Sequence, residues 1–168
     1  MAQDNFFRRT DKRWKIGIID GPNMSNLGRR DPETFGTIDS WDTLRQLTQD
    51  TAKELGIEVV NFVSNHEGEI LDFIHQNTTE VDGWIINPGG LTSYGEGTRH
   101  ALAESRKPYV ETHFSNLVRH FAKVSPHIRL ESRFTSTALG VVMGTRQHSY
   151  AGALVGLTMA LDDETFAF

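Results

Sequence analysis

Cysteine does not occur in this 168-residue chain, which excludes disulfides, thiolate nucleophiles and cysteine-based metal centres; a metal would have to rely on histidine and carboxylates. No apolar run approaches the roughly 20 residues that a membrane span requires, and the opening MAQDNFFRRTDKRW is too polar for a secretory signal. A cytoplasmic protein with no membrane partner is expected. Positive charge is also in short supply: a formal net charge of -5 provides no broad basic field, so nucleic acid is not an expected partner. Small anions can still be met by local arginines. His100, His120, His127 and His148 are scattered without metal-ligand spacing, so no metal is expected. GGLTSYGEG contains neither a Gly-Lys-Ser/Thr phosphate loop nor a GxGxxG turn, so a nucleotide cofactor is not expected.

What is present is alternation. KIGIID (Lys15 to Asp20), EVVNFVS (Glu58 to Ser64), GWIIN (Gly83 to Asn87), YVETH after Pro108, and TALGVVMG read as five strands; each is a short, largely apolar run bounded by turn signals. Between them lie helical patterns. Trp41, Leu44, Leu47, Thr48, Ala52 and Leu55 share one face, with Gly56 placed as a C-terminal cap. Ser64 and Glu67 have capping-box spacing before Ile70, Leu71 and Ile74. A short helix is expected around Thr98 to Ser105, and a closing one buries Ala153, Leu154, Leu157 and Leu161. Residues 114–133 show no clean period. Strands separated by helices imply parallel crossovers. The expected fold is α/β: one flavodoxin-like domain over residues 1–168, a three-layer α/β/α sandwich around a five-stranded parallel sheet, with residues 1–14 as a polar N-terminal extension.

In such sheets ligands bind beyond the carboxyl ends of the strands. Those ends are Asp20-Gly-Pro-Asn23, Ser64-Asn65-His66-Glu67, Asn87-Pro-Gly-Gly90 and Glu111-Thr-His113. Asn23 and Asn87 are either turn asparagines bonding their own backbone or ligand contacts, and Gly89 and Gly90 would let a ligand approach the backbone closely. Glu111 lies two residues before His113, on the same side of the strand, which suits the imidazole to general-acid work. His66 and Glu67 read as a helix cap and a surface pair. GRRDPETFG, from Gly28 to Gly36, has the makings of a mobile lid: Arg29 and Arg30 are either solvated loop charges or guanidiniums that close on an anion or enolate. Phe35, near its tip, has no atom that can accept a proton.

Taken together and in order, GPNMSNLGRRDPETFG, SNHEGEILDFIHQ, DGWIINPGGLT, PYVETHFSN and GVVMG with its following helix resemble the type II 3-dehydroquinate dehydratases. The resemblance implies the same flavodoxin-like fold, trimers grouped into dodecamers, and cofactor-free loss of water from 3-dehydroquinate through an enolate. It also implies roles: Asn23 stabilises the enolate, Arg30 assists the lid base, and His113, oriented by Glu111, protonates the leaving hydroxyl. Asn87 and the backbone amides of Phe114 and Ser115 would hold the substrate carboxylate. The family's lid tyrosine falls on Phe35, its histidine after GGLT on Ser93, and the aspartate that reaches a neighbouring subunit on His100. The stretch between Asn116 and Gly140 is longer than the family's; ungapped counting back from Gly140 gives Arg129 as the substrate-gripping arginine, with Arg119 and Arg133 as alternatives.

The departures cluster on the proton-abstracting side of the pocket. The leading expectation is therefore a divergent enzyme acting on another small carboxylate, cyclic ones included, by elimination, hydration or hydrolysis at His113, with Tyr94 or a water held by Ser93 and His100 as substitute base. The alternatives are a 3-dehydroquinate dehydratase that uses a base other than the lid tyrosine, and a non-catalytic carboxylate binder.

Overall fold

Strands β1 (Lys15–Asp20), β2 (Glu58–Val63), β3 (Gly83–Asn87), β4 (Tyr109–His113) and β5 (Gly140–Met143) form one all-parallel sheet in the order β2-β1-β3-β4-β5. The computed structural model describes residues 6–124, 126–127 and 130–167. Among the described residues, six α-helices accompany the sheet: α1 (Pro32–Phe35), α2 (Trp41–Leu55), α3 (Glu67–Asn77), α4 (Glu96–Glu104), α5 (Leu117–Val124) and α6 (His148–Asp162). This is the expected flavodoxin-like α/β architecture. Every position of β3 and β4 is buried, because helices cover both faces of a parallel sheet.

Alternation along the strands divides the core in two. Ile16, Ile18, Ile85 and Val110 pack with Leu44, Leu154 and Leu157 of α2 and α6. Ile19, Trp84 and Ile86 face Ile70, Ile74 and Leu102 of α3 and α4. Gly17 has no substitute here: a Cβ on it would stand 2.3 Å from Trp84 Cε3 and 2.4 Å from Cζ3, so that edge of the indole fills the space where a side chain would otherwise be.

Strand order reverses between β1 and β3, which opens a crevice at their carboxyl ends. Asp20 pairs with Asn87, the Gly21 N–H donates to the Asn87 carbonyl at 2.8 Å, and the Gly90 N–H donates to the Pro22 carbonyl at 3.0 Å. The GPN and NPGG turns are thus stitched into one rim.

β1, β3 and β4 coincide with the sequence reading; other boundaries move for local reasons. The Ser64–Glu67 capping box does not form. Ser64 Oγ accepts from the His66 N–H (2.9 Å) and donates to Glu69 (2.5 Å), whereas Glu67 accepts from the N–H and hydroxyl of Thr98 (3.0 and 3.1 Å), tying α3 to α4. His66 occupies the N-cap position of α3 without a side-chain cap bond. α4 starts at Glu96 rather than Thr98, and α5 forms where no helix is expected from the sequence, although Leu117, Val118, Phe121 and Val124 share one face of it. Among the described residues, no helix is long and apolar enough to cross a membrane.

The N-terminal extension is stapled to the last turn of α6. Asp162 accepts from Arg8 Nε (2.8 Å), Trp14 Nε1 (2.7 Å), the Arg9 N–H (2.9 Å) and Thr10 Oγ1 (3.0 Å), while Arg8 Nη1 caps the Leu55 carbonyl at the end of α2 (2.5 Å). Burial opposes ionisation, but Arg8, Trp14 and the other donors hold the Asp162 carboxyl well below the usual carboxylate range. Asp162→Ala would strand these donors, with the Arg8 side chain only 10% exposed. It is expected to cost about 3 kcal/mol, read as a lower midpoint of urea unfolding; an unchanged midpoint would refute the staple.

Candidate active site

At the end of β4, alternation places Glu111 and His113 on the same side, both buried. His113 Nε2 stands 2.7 Å from Glu111 Oε1. Ser132 Oγ also donates to that oxygen, and Thr135 Oγ1 donates to Oε2 at 2.5 Å. Burial pushes the Glu111 carboxyl up, but His113, Ser132 and Thr135 outweigh it and hold the group below its ordinary value. An ionised Glu111 can only accept, so Nε2 of His113 carries a proton towards it and Nδ1 is the nitrogen left for other partners. Glu111 therefore orients the ring, and Ser132 and Thr135 orient Glu111.

Asn23 stands on the neighbouring turn in a left-handed conformation, φ 73°. Its N–H donates to Asn65 Oδ1 at 2.9 Å, and its exposed side-chain amide lies 3.8 Å from where a Cβ on Gly90 would be. Gly89 is itself left-handed, and a Cβ there would meet the Pro22 carbonyl at 2.4 Å. The two turns leave no room for a side chain at 89 and little at 90, where a Cβ would stand 3.2 Å from Pro22 Cβ, and Asn23 projects beside them.

Asn87 is deeper, at 3% exposure. Its amide donates to Tyr150 Oη (2.9 Å) and towards Met24 Sδ (3.4 Å), and its Oδ1 accepts from the Gly89 N–H (3.1 Å). The Tyr150 hydroxyl in turn donates a hydrogen bond to Asp20 Oδ1, whose second oxygen accepts from Trp41 Nε1 at 2.9 Å. Burial pushes Asp20 up to about 6 despite the bonds from Tyr150 and Trp41, and burial together with Asp20 pushes Tyr150 well above its ordinary value.

The lid crosses in front. Asp31 caps α1 by accepting from the Glu33 N–H (3.0 Å) and Thr34 Oγ1 (2.8 Å). Phe35 leans on Phe114, ring centroids 5.9 Å apart, and the Arg30 guanidinium lies over the Phe35 ring, 3.6 Å from its centroid. Burial lowers the Arg30 pKa. Arg29 is exposed.

The remaining candidates are less gathered. Ser93 is half-buried, and its carbonyl accepts from Arg133 Nε at 3.1 Å. Tyr94 is 70% exposed, and exposed His100 lies 3.8 Å from Glu96, which also meets Arg99 and Arg133. Phe114 is buried and Ser115 half-buried just beyond His113. Of the three arginines, Arg119 is exposed on α5, Arg133 is engaged with Ser93 and Glu96, and Arg129 lies outside the described residues. Asp20, Tyr150, Ser132 and Thr135 did not stand out in the sequence as site residues. Only Asp20, a carboxylate ending an apolar strand, carried a local signal. A cavity of about 870 Å³ between α5 and β5 reaches Ser132 and Thr135, behind the Glu111 carboxylate.

Residues 14–158 match the family described as Dehydroquinase class II. The 3-dehydroquinate dehydratase of Halothermothrix orenii is 44% identical over 140 residues, covering 83% of this chain and 90% of that protein. A 3-dehydroquinate dehydratase of Prochlorococcus marinus strain MIT 9215 is 40% identical over 142 residues, covering 84% and 92%. The crystal structure of type II dehydroquinase from Butyrivibrio crossotus superposes with a TM-score of 0.77 at 32% identity, over 86% of this chain and 97% of that one.

Asp20 has a pH consequence. Its folded pKa, about 6, is raised above the ordinary 3.8, so the fold prefers the uncharged acid. That stability is present at low pH and is lost as pH rises through about 6, with a full cost on the order of 3 kcal/mol. Asp20→Asn is expected to flatten the fall in melting temperature between about pH 4 and about pH 7; an identical pH slope in both proteins would overturn the assignment.

Proposed function

Because the chain belongs to the class II dehydroquinase family, we propose that it is a hydro-lyase that converts 3-dehydroquinate to 3-dehydroshikimate and water without a cofactor. In this reading a proton leaves the carbon next to the ketone, the resulting enolate is met by Asn23, and the C–O bond breaks as a doubly protonated His113, its Nε2–H held by Glu111, delivers the Nδ1 proton to the departing hydroxyl, which leaves as water. Glu111 keeps the ring oriented, and Arg30 places positive charge at the lid. The substrate carboxylate lies near the NPGG turn and the start of the Phe114–Ser115 backbone. The observation that supports this most is the buried Glu111–His113 pair standing on the same rim as Asn23.

Proton abstraction is assigned to a group other than residue 35, since a phenyl ring takes no proton. Tyr94 and His100 are the candidates: both are exposed on the single chain, where a neighbouring subunit's pocket could receive them in a trimer-based homo-oligomer. This moves the weight from a different substrate, the leading expectation from sequence, to the dehydratase alternative, because the relatives that carry the likeness are named as 3-dehydroquinate dehydratases. One observation still favours a different small carboxylate. Phe35 is packed between Phe114 and Arg30, and losing polar partners weakens selection for a polyol.

Mixing the protein with 3-dehydroquinate and following enone absorbance tests the proposal. The expected result is measurable turnover that His113→Ala abolishes and Phe35→Tyr raises, by up to roughly 10²- to 10⁴-fold if a full general-base contribution returns. Silence from both the natural protein and Phe35→Tyr, with small carboxylates still raising the melting temperature, would reject the dehydratase and favour the second reading.

A further inference from the structure

Arg146, in the loop between β5 and α6, has φ 55°, a left-handed conformation that residues other than glycine seldom adopt. Its N–H donates to the Phe114 carbonyl at 3.0 Å. From there the side chain reaches the lid: Nη2 donates to the Glu33 carbonyl in α1 at 3.2 Å. The carbonyls at the end of so short a helix lack intrahelical partners, and a guanidinium suits that end of the peptide dipoles.

The lid is shaped to receive it. Gly36 has φ 76°, and a Cβ there would stand 3.0 Å from Arg146 Cδ and 3.1 Å from Nη1. Glycine at 36 therefore serves both the backbone turn and the close approach of this one side chain. Phe114 completes the junction: its ring carries Phe35, while its carbonyl holds the backbone of Arg146. Lid, β4 end and β5–α6 loop meet at one point.

We propose that Arg146 is a lid-positioning residue, a latch that ties α1 to the β5–α6 loop through the Glu33 carbonyl and the close approach at Gly36. The latch itself is a property of the fold; only its kinetic effect rests on the dehydratase reading. Hydrogen exchange of residues 29–37 tests it in the full chain. Arg146→Ala and Arg146→Gly are both expected to speed lid exchange about tenfold, with β1 and α6 unchanged. Glycine relieves the left-handed backbone, so Arg146→Gly should keep or raise the melting temperature while freeing the lid. Arg146→Lys keeps the charge without the two-armed fork and should fall between. On 3-dehydroquinate, loss of the latch is expected to raise KM more than it lowers kcat, as loosened ground-state positioning does. Unchanged lid exchange in the alanine and glycine variants, or loosening spread equally through α6, overturns the latch. Absence of turnover with altered lid exchange would instead refute the dehydratase reading and leave the latch standing.

Discussion

Burial of the Glu111 carboxylate is the constraint around which the rim is arranged. An ion taken out of water must recover several kcal/mol from its neighbours, and here three side chains supply the donors. Two of them, Ser132 and Thr135, arrive from a loop far along the chain, which therefore has to return to the top of β4. That return is reinforced at independent points: Tyr109 Oη donates to the Phe134 carbonyl at 2.6 Å, the Arg133 N–H donates to the Thr92 carbonyl, and the Leu139 N–H donates to that of Tyr109. Leu139 then leads directly into β5. The edge of the sheet and the orientation of His113 are consequences of the same loop.

A second buried carboxylate lies under the neighbouring strands and is treated oppositely. Glu111 has enough donors to stay below its ordinary pKa, whereas Asp20, with Tyr150 and Trp41 alone, is pushed up to about 6. Two carboxylates on adjacent parts of one rim are thereby separated in protonation by environment. The first fixes an imidazole; the second, through Tyr150, braces the Asn87 amide beneath the NPGG turn.

Much of this was legible in the chain. β1 and β3 could be read to the residue because burial on both faces leaves apolar runs ending at Asp20 and Asn87, and β4 because Pro108 sets its start; the endpoints Asp20, Asn87 and His113 define the rim. The pairing of Glu111 with His113 followed from strand alternation alone. What escaped was non-local. Glu67 reaches across to Thr98 instead of closing a local cap, a choice made by the packing of α3 on α4. Ser132 and Thr135 are ordinary hydroxyl residues until the fold brings them to Glu111. α5 was missed although Leu117, Val118, Phe121 and Val124 recur at helical spacing, because the pattern lasts only two turns, and Arg146 because nothing in sequence couples residue 146 to Gly36. Phe35 was legible as an identity, but its seat between Phe114 and Arg30 was not.

The three tryptophans are distributed so that each indole N–H reports on a different storey of the molecule: Trp14 on Asp162 below the sheet, Trp84 on Ser105 in mid-core, and Trp41 on Asp20 directly beneath the rim. The protein thus carries its own optical probe of the crevice. Trp41 emission is thereby tied to whether the adjacent carboxyl is charged, with no dye attached.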